Sequence, residues 1–277
     1  TITHDRARLN LIAGTFLMGE SDRQTVHSTQ PQARTEVLLD PRVDAHSAAF
    51  FGQTTIGITS RLSGIFGLRY SHERKSIDNV GGRYVLDPVP VLIAGTRYTY
   101  DDSMTHAAWT PKFGIEVTLP MRAMAYASAT KGFKSGGFNW SSPVPGRGFA
   151  PEWAWSYEGG LKTDLGNGRA RLNVAAFSMD YTNLQVQTPI AIGVFDIRNA
   201  AAATVRGIEI EGATRLGRGI NAGGHYTWLD ATYGRYTAVG IGGITGDVPG
   251  NRLNNAPEFP GRGWIEWSIS LRRSRLL

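Results

Sequence analysis

Alternating polarity along almost the whole chain restricts its fold more than any other feature. In the clearest stretch, apolar residues alternate with polar and charged ones: Trp153, Trp155, Tyr157 and Leu161 against Ser156, Glu158, Lys162 and Asp164. Because successive side chains of a β-strand point to opposite sides, this stretch has one apolar face and one charged face. About ten segments repeat the pattern, namely 8–18, 46–59, 62–72, 112–117, 122–133, 153–164, 169–181, 206–212, 220–228 and 265–271. The sequence therefore predicts an all-β protein.

The connections between these segments alternate in length. Four are tight, at residues 59–61, 119–121, 165–168 and 216–218, and five are long and polar, at 19–45, 76–105, 134–149, 183–199 and 233–258. Compact soluble domains rarely hold loops beyond about 12–15 residues, whereas up-and-down outer-membrane barrels have short turns on one side and long loops on the other. The pair Asn167-Gly168 suits a type I′ hairpin turn. We therefore predict an antiparallel, up-and-down transmembrane β-barrel segment.

Composition excludes several other classes of protein. No stretch of 18 apolar residues occurs, so no segment could span a membrane as a helix. The absence of cysteine excludes disulfides and thiolate metal sites. The net charge of +6 comes from basic residues scattered singly, without the concentrated patch that nucleic-acid binding requires. A soluble β-sandwich, such as a secreted adhesin, would show the same alternation, but the five long loops and the aromatic residues near strand ends favour the barrel.

One segment resembles a known family strongly. The run Lys131, Gly132, Phe133, Lys134, Ser135, Gly136, Gly137, Phe138 and Asn139 is similar to the strand-to-loop signature of TonB-dependent outer-membrane receptors. Further stretches resemble that family in the expected order, among them Gly67–Tyr70, Tyr157–Lys162, Arg206–Glu211 and Gly250–Leu253. Each motif is modest by itself, but together they extend the resemblance over about residues 8–271.

The resemblance implies a barrel of about 22 strands, of which residues 1–277 form a partial domain of about ten. We expect the plug domain and the C-terminal strands to lie outside this chain. The ending Arg272–Leu277 departs from the aromatic-terminated final strand of the family. Because the chain starts at Thr1, without an initiator methionine or an export signal, we also expect it to be a fragment or a processed chain.

The implied function is uptake across the bacterial outer membrane, driven by the TonB energy-coupling complex acting on an N-terminal region. The implied partners are outer-membrane lipid, the protein's own plug, that complex, and a small-molecule ligand such as a ferric siderophore. A passive porin is the alternative among channels. Loop residues suited to an aromatic, anionic iron chelate, and equally suited to ordinary loop packing, are Trp140, Arg147, Tyr233, Arg235, Tyr236 and Arg252.

Residues suited to catalysis or metal binding do not form a recognisable motif. Glu209 and Glu211 share one strand face but have no accompanying nucleophile or base, so we interpret them as lining of the barrel lumen. The six histidines are far apart in sequence and form no ligand pair. Gly136-Gly137 fits no phosphate-binding fingerprint, and we expect it to bend the strand into its loop. The sequence predicts no enzyme, no cofactor and no metal site.

Overall fold

The computed structural model describes residues 2–6, 8–86, 89–140, 148–191, 194–199, 202–234, 237–239, 245–247 and 249–268. One 3-10 turn, Pro31–Ala33, interrupts the strands. In chain order the described strands are β1 (Ile2–Arg6), β2 (Leu9–Arg23), β3 (Val26–Gln30), β4 (Thr35–Gly57), β5 (Leu62–Leu86), β6 (Pro90–Leu92), β7 (Tyr98–Leu119), β8 (Ala123–Lys134), β9 (Gly137–Phe138), β10 (Gly148–Phe149), β11 (Glu152–Leu165), β12 (Ala170–Thr182), β13 (Gln185–Ala191), β14 (Val194–Asn199), β15 (Ala202–Gly217), β16 (Ile220–Tyr233), β17 (Thr237–Val239), β18 (Thr245–Asp247) and β19 (Gly261–Trp267). Within these ranges no helix has the length and hydropathy needed to cross a membrane.

Most of the strands form one antiparallel sheet whose order follows the chain. The order is β1-β2-β4-β5-β7-β8-β11-β12-β15-β16-β19, and β3 and β6 add short pairings to β4 and β5. This confirms the predicted all-β, antiparallel, up-and-down architecture. Sequence reasoning missed β1, whose five residues are too few to display a convincing alternation. Among the described strands, β1 and β19 each pair on one side only.

The strand register gathers the apolar residues on one face of this sheet. One row of paired residues crosses eight strands, through Ile56, Gly64, Ile115, Ala127, Gly159, Ala176, Ile208 and Trp228. Ile56, Ile115, Ile208 and Trp228 have between 39% and 52% of their surface exposed. Large apolar side chains exposed in a continuous band require an apolar solvent, which lipid provides. Glu158, Lys162, Glu209 and Glu211 lie on the opposite face, as the alternation predicts.

Each tight turn lies farther beyond this row than the turn before it. From the row to the last strand residue before the turn is one residue in β4, four in β7, six in β11 and nine in β15, ending at Gly57, Leu119, Leu165 and Gly217. Neighbouring hairpins are therefore displaced along one another in a constant direction. Closing a sheet into a barrel requires such a stagger, because strand tilt and register are linked. The register is therefore the one expected for the tilted strands of a barrel wall.

Two stretches predicted as long loops, 19–45 and 76–105, are mostly strand. β4 begins at Thr35, β5 continues to Leu86, and β7 begins at Tyr98, well beyond the ends of the predicted segments. The prediction was wrong because polar and apolar residues alternate only where the two faces of a strand meet different solvents. The backbone hydrogen bonds that form the sheet do not depend on such a difference. Beyond the apolar band both faces meet water, so the strands continue after their pattern has ended.

The tight connections are confirmed as turns. Asn167 and Gly168 have φ angles of 57° and 82°, and Arg169 N donates to Gly166 O over 3.3 Å. Two successive positive φ angles are what a type I′ turn requires. The other long connections hold short hairpins of their own, β9–β10, β13–β14 and β17–β18. We call the end of the sheet that carries the tight turns the turn end, and the opposite end, which carries the long connections, the loop end.

Candidate functional site

The first part of the Lys131–Asn139 segment still belongs to the sheet. Lys131 and Phe133 lie on the apolar face of β8, beside Trp153 of β11. The Lys131 Nζ atom is 4.5 Å from the centre of the Trp153 ring, and the Phe133 and Trp153 ring centroids are 5.5 Å apart. Aromatic rings and a snorkelling lysine at the edge of an apolar band are typical of a membrane interface. This half of the segment therefore contributes to the outer surface of the wall.

Gly136 and Gly137 take the chain from the wall to the polar face. A Cβ atom on Gly136 would lie 2.3 Å from the carbonyl oxygen of Phe149, and one on Gly137 would lie 2.7 Å from the Phe149 ring. The returning strand β10 approaches so closely that neither position has room for a side chain. Gly132, by contrast, has nothing within 4 Å of an added Cβ. The glycine pair is thus explained by close backbone approach, which is more specific than the bend that the sequence suggested.

Phe138 anchors the loop on the polar face. It is 7% exposed and packs with Ile77 of β5 and Tyr100 of β7 in a small apolar cluster. Val43, Tyr98, Met104 and Trp140 border this cluster. Burial also raises the pKa of the Tyr98 phenol. Phe133 and Phe138 of the same segment therefore lie on opposite faces of the sheet.

Asn139 joins this loop to the β13–β14 hairpin. Its Nδ2 atom donates to Ile197 O over 2.8 Å, and its Oδ1 atom accepts from Ile197 N over 2.7 Å. Asn199, at the end of β14, makes the same paired contact with the backbone of Ala150, over 2.9 Å and 2.8 Å. Each amide side chain thus replaces a missing neighbouring strand, satisfying one donor and one acceptor of the backbone.

Gln185 completes the junction. Its Nε2 atom donates to Ser135 O over 2.9 Å and to Ala150 O over 3.1 Å, while its backbone N donates to the Glu152 carboxylate over 2.7 Å. The strand β5 contributes two further bonds to the loop, from Lys75 Nζ to Gly136 O and from Asn79 Nδ2 to Trp140 O, over 2.8 Å and 2.9 Å. We call this set the clasp: Lys75, Asn79, Ser135–Trp140, Ala150, Gln185, Ile197 and Asn199. It fixes two loop-end hairpins over the polar face of the sheet.

Sequence reasoning found half of the clasp. The resemblance singled out the segment up to Asn139, but Lys75, Asn79 and Gln185 were missed, because a polar residue in a long connection gives no local sign of its partner. The role of Asn199 was missed for the same reason. Their contacts with other residues of the clasp span sequence separations of 35 to 61 residues, which no periodicity reports.

The six predicted ligand-contact residues are not brought together in the described part of the chain. Arg147, Arg235 and Tyr236 lie outside the described residues. Trp140 borders the apolar cluster and its carbonyl accepts the bond from Asn79. The Arg252 guanidinium donates to Leu229 O over 3.0 Å and pairs with Glu258 over 3.4 Å, so it stabilises its own loop. Tyr233 lies at the end of β16, and its backbone pairs with Gly250 and Asn251.

A second polar network lies on the same face nearer the turn end. The Tyr126 hydroxyl donates to the Glu158 carboxylate, and Lys162 Nζ is 5.0 Å from the centre of the Tyr126 ring. Farther along the sheet, Asn173 Nδ2 donates to Glu211 over 3.2 Å. The described residues contain no group of three or more metal-ligating side chains. The arrangement is that of a hydrated wall with fixed charges, which suits contact with another polar surface.

The comparisons with known proteins agree on one family. The family model for the TonB dependent receptor-like β-barrel matches residues 3–275. The metal-pseudopaline receptor CntO of Pseudomonas aeruginosa is 25% identical over 210 residues, which cover 76% of this chain and 26% of that receptor. The chain therefore spans about a quarter of the length of the curated relatives that it matches.

Solved structures show the same fold. The ferric yersiniabactin uptake receptor FyuA from Yersinia pestis aligns with a TM-score of 0.78 and 17% identity, over 97% of this chain and 38% of that one. The siderophore receptor PiuA from Acinetobacter baumannii aligns with a TM-score of 0.68 and 14% identity, over 97% and 42%.

Proposed function

Because the chain belongs to the TonB-dependent receptor family, within its β-barrel domain, we propose that it is a wall segment of a receptor for energy-dependent nutrient uptake. The observation that carries the proposal is the two-faced, staggered sheet whose loop end is closed by the clasp. The apolar face meets lipid, and the polar face lines a lumen. The clasp forms part of the vestibule through which a ligand enters.

The family consists of transport receptors of the bacterial outer membrane. The predictions of an outer-membrane location and of a protein that is not an enzyme are therefore confirmed. A β-sandwich adhesin is disfavoured by the sheet itself, since the eleven strands in order form one continuous layer among the described residues. A sandwich would bury its apolar residues between two packed sheets.

The substrate that we propose is a metal chelate, and specifically a ferric siderophore. The similarity to a metal-pseudopaline receptor, a ferric yersiniabactin uptake receptor and a siderophore receptor supports the class of substrate. Such a chelate is large, polar and scarce, so it calls for a wide lumen and active transport. Of the six predicted contact residues, Trp140 and Tyr233 remain candidates near the loop end, and Arg147, Arg235 and Tyr236 are proposed without a described position. Arg252 is the weakest candidate, because its guanidinium already serves its own loop.

The remaining partners are also proposals. We infer that the sheet is completed to a closed barrel by further strands, because unpaired backbone groups at β1 and β19 would be costly in lipid. A plug domain would contact the polar network of Tyr126, Glu158 and Lys162, and the TonB complex would act on that plug. The residues 1–277 are then a partial barrel domain, as the sequence predicts.

Uptake measurements test this proposal. In cells that lack the complete gene, uptake of a radiolabelled ferric siderophore should be restored by the complete receptor and abolished by removal of the energy-coupling protein. Uptake that persists without energy coupling would instead indicate a passive porin. A panel that includes ferric, cupric and zinc chelates decides the metal, and binding of none of them would refute the proposed substrate class.

A further inference from the structure

Three basic residues cluster on the apolar face where its band of hydrophobic side chains ends. His46 of β4 pairs in register with Arg74 of β5, and His72 lies two residues before Arg74 on the same face. All three side chains are exposed. On β4 and β5 they are the first polar side chains of this face beyond Phe50 and Tyr70, which pair in the apolar band. The cluster therefore marks one border of the lipid.

The position of the cluster matches the headgroup level of the leaflet at the loop end. Starting from the tight turn, His46 is 11 residues from Gly57, and His72 is 10 residues from Leu62. A strand tilted by about 45° rises roughly 2.3 Å per residue along the membrane normal, so about ten to eleven residues cross an apolar band of about 25 Å. The phosphates of membrane lipids lie just beyond that distance.

The three basic side chains line a groove that also has an apolar part. Its volume is about 520 Å³, and its lining includes Leu17, Gly19 and Ala48 beside the three basic residues. Gly19 and Ala48 are small, so the groove opens between larger neighbours. The Leu17 side chain is 79% exposed and leads from the groove into the apolar band. The groove thus offers a surface for a hydrocarbon chain next to a surface for an anion.

Arg74 differs from the arginines near it on the same face. Arg42 pairs with Asp44 over 3.2 Å. Arg23 donates two hydrogen bonds to Asp40, over 3.0 Å and 2.6 Å, and these lower the pKa of that carboxyl. Arg74 lies at the border of the apolar band and has no ion-pair partner within the described part of the chain. Arginine presents a planar array of donors that matches a phosphate group.

From these observations we propose that His46, His72 and Arg74 bind the phosphate of a lipid in the outer leaflet, with the acyl chain of that lipid in the adjoining groove. Arg74 supplies the permanent charge, and the two histidines supply ring N–H donors on either side. Asp44, the acidic neighbour of His46 on this face, is already compensated by Arg42. The site lies on the outside of the wall, apart from the clasp and from any uptake path.

Retention of a defined lipid tests the site in the complete receptor. The probe is diphosphorylated lipid A, compared with the same lipid after removal of its phosphates, and the measurement is bound lipid per receptor by native mass spectrometry after detergent exchange. The unmodified receptor should retain the phosphorylated probe selectively. Arg74→Gln should weaken retention about tenfold, as expected for loss of one charge-assisted contact. The double variant His46→Gln, His72→Gln should weaken retention more than either histidine change alone.

Arg206→Gln is the matched control, because Arg206 is also exposed on the apolar face but has the acidic residue Asp230 opposite it in the strand register. It should leave retention unchanged. Equal losses for Arg74→Gln and Arg206→Gln would overturn the site in favour of a general charge effect. Equal retention of both probes would reduce it to apolar adsorption, and displacement by millimolar inorganic phosphate would show a soluble anion as the occupant. Heat modifiability of each variant verifies that the barrel has folded.

Discussion

The wall and the clasp are specified in opposite ways. In the wall, the positions of the apolar face are filled by isoleucine, alanine, glycine or tryptophan, as the Ile56–Trp228 row shows. What matters there is the class of side chain, repeated on strand after strand. In the clasp, single atoms matter: the missing Cβ of Gly136, the amide of Asn139 and the amide of Asn199. A membrane wall tolerates substitution within a class, whereas a junction between loops depends on individual residues.

The largest expected effect comes from placing a charged residue at an apolar position of the wall. Ile210→Arg places a cation among lipid chains, since Ile210 is exposed on the apolar face and lies between Val174 and Tyr226. Near the bilayer midplane such a change costs about 2–4 kcal/mol. The measurement is the free energy of unfolding of the complete receptor in bilayers, from denaturant titration.

The neighbouring residue provides the control. Glu209→Arg changes the sign of a charge on the polar face, where water or a plug can compensate it, so its effect should be smaller and sensitive to salt. If Glu209→Arg destabilised the barrel as much as Ile210→Arg, the assignment of faces to lipid and lumen at β15 would be wrong. The experiment has to be done in lipid, because a soluble core would give a similar asymmetry.

The next largest effect should come from filling the gap at Gly136. Gly136→Ala forces a Cβ atom to within 2.3 Å of Phe149 O, so β9 and β10 must separate. Overpacking of this kind costs about 1–3 kcal/mol. Hydrogen exchange should accelerate at residues 135–140 and at Ile197, while the exchange of β11 and β12 remains slow. Gly132→Ala, where an added Cβ meets nothing within 4 Å, should leave exchange unchanged; acceleration there as well would mean that the segment is sensitive to any substitution.

Asn139 tests the polar half of the clasp. Asn139→Ala removes both bonds to Ile197 and leaves a backbone donor and acceptor without their partner, at a cost of about 1–3 kcal/mol. Asn139→Asp should cost at least as much, because the carboxylate still accepts from Ile197 N but repels Ile197 O. Protease accessibility of the β13–β14 hairpin on intact cells measures the release. Full stability of the aspartate variant would contradict the paired geometry.

A double-mutant cycle separates a clasp from two unrelated bonds. Asn139→Ala and Asn199→Ala, whose contacts join the same two loops, should together cost less than the sum of the single changes, because the first change already loosens the junction. Strict additivity would show that the loops are held independently.

The same contrast explains how much of this molecule the sequence predicts. The faces of β11 and β15 and the turn at Asn167 follow from local rules, because period two and the needs of a tight turn are written in adjacent residues. The extensions of β4 and β5 were missed, since outside lipid the strands lose their pattern but keep their hydrogen bonds. The partners of Gln185 and Asn199 could not be found, because a side-chain amide can bond to any backbone that folding brings near it.

The smallest effect should arise at the turn end, where local rules suffice. Asn167 has a φ angle of 57° beside Gly168 at 82°, and asparagine tolerates this left-handed conformation better than alanine does. Asn167→Ala should therefore cost about 1 kcal/mol or less, without altering any contact of the side chain with the wall.

Asn221→Ala controls for the loss of the amide itself, because Asn221 lies on the polar face of β16 and does not have a positive φ angle. The unfolding free energy should fall for Asn167→Ala alone, and replacing Asn167 by glycine should restore it, because glycine accepts positive φ without strain. If alanine were as stable as asparagine at this position, or if glycine failed to restore stability, the backbone conformation of the turn would not be the cause. Because strand register in a hairpin is set by its turn, the alanine variant should also slow the folding of the β11–β12 hairpin into bilayers, while the clasp at the other end of the same strands keeps its slow hydrogen exchange.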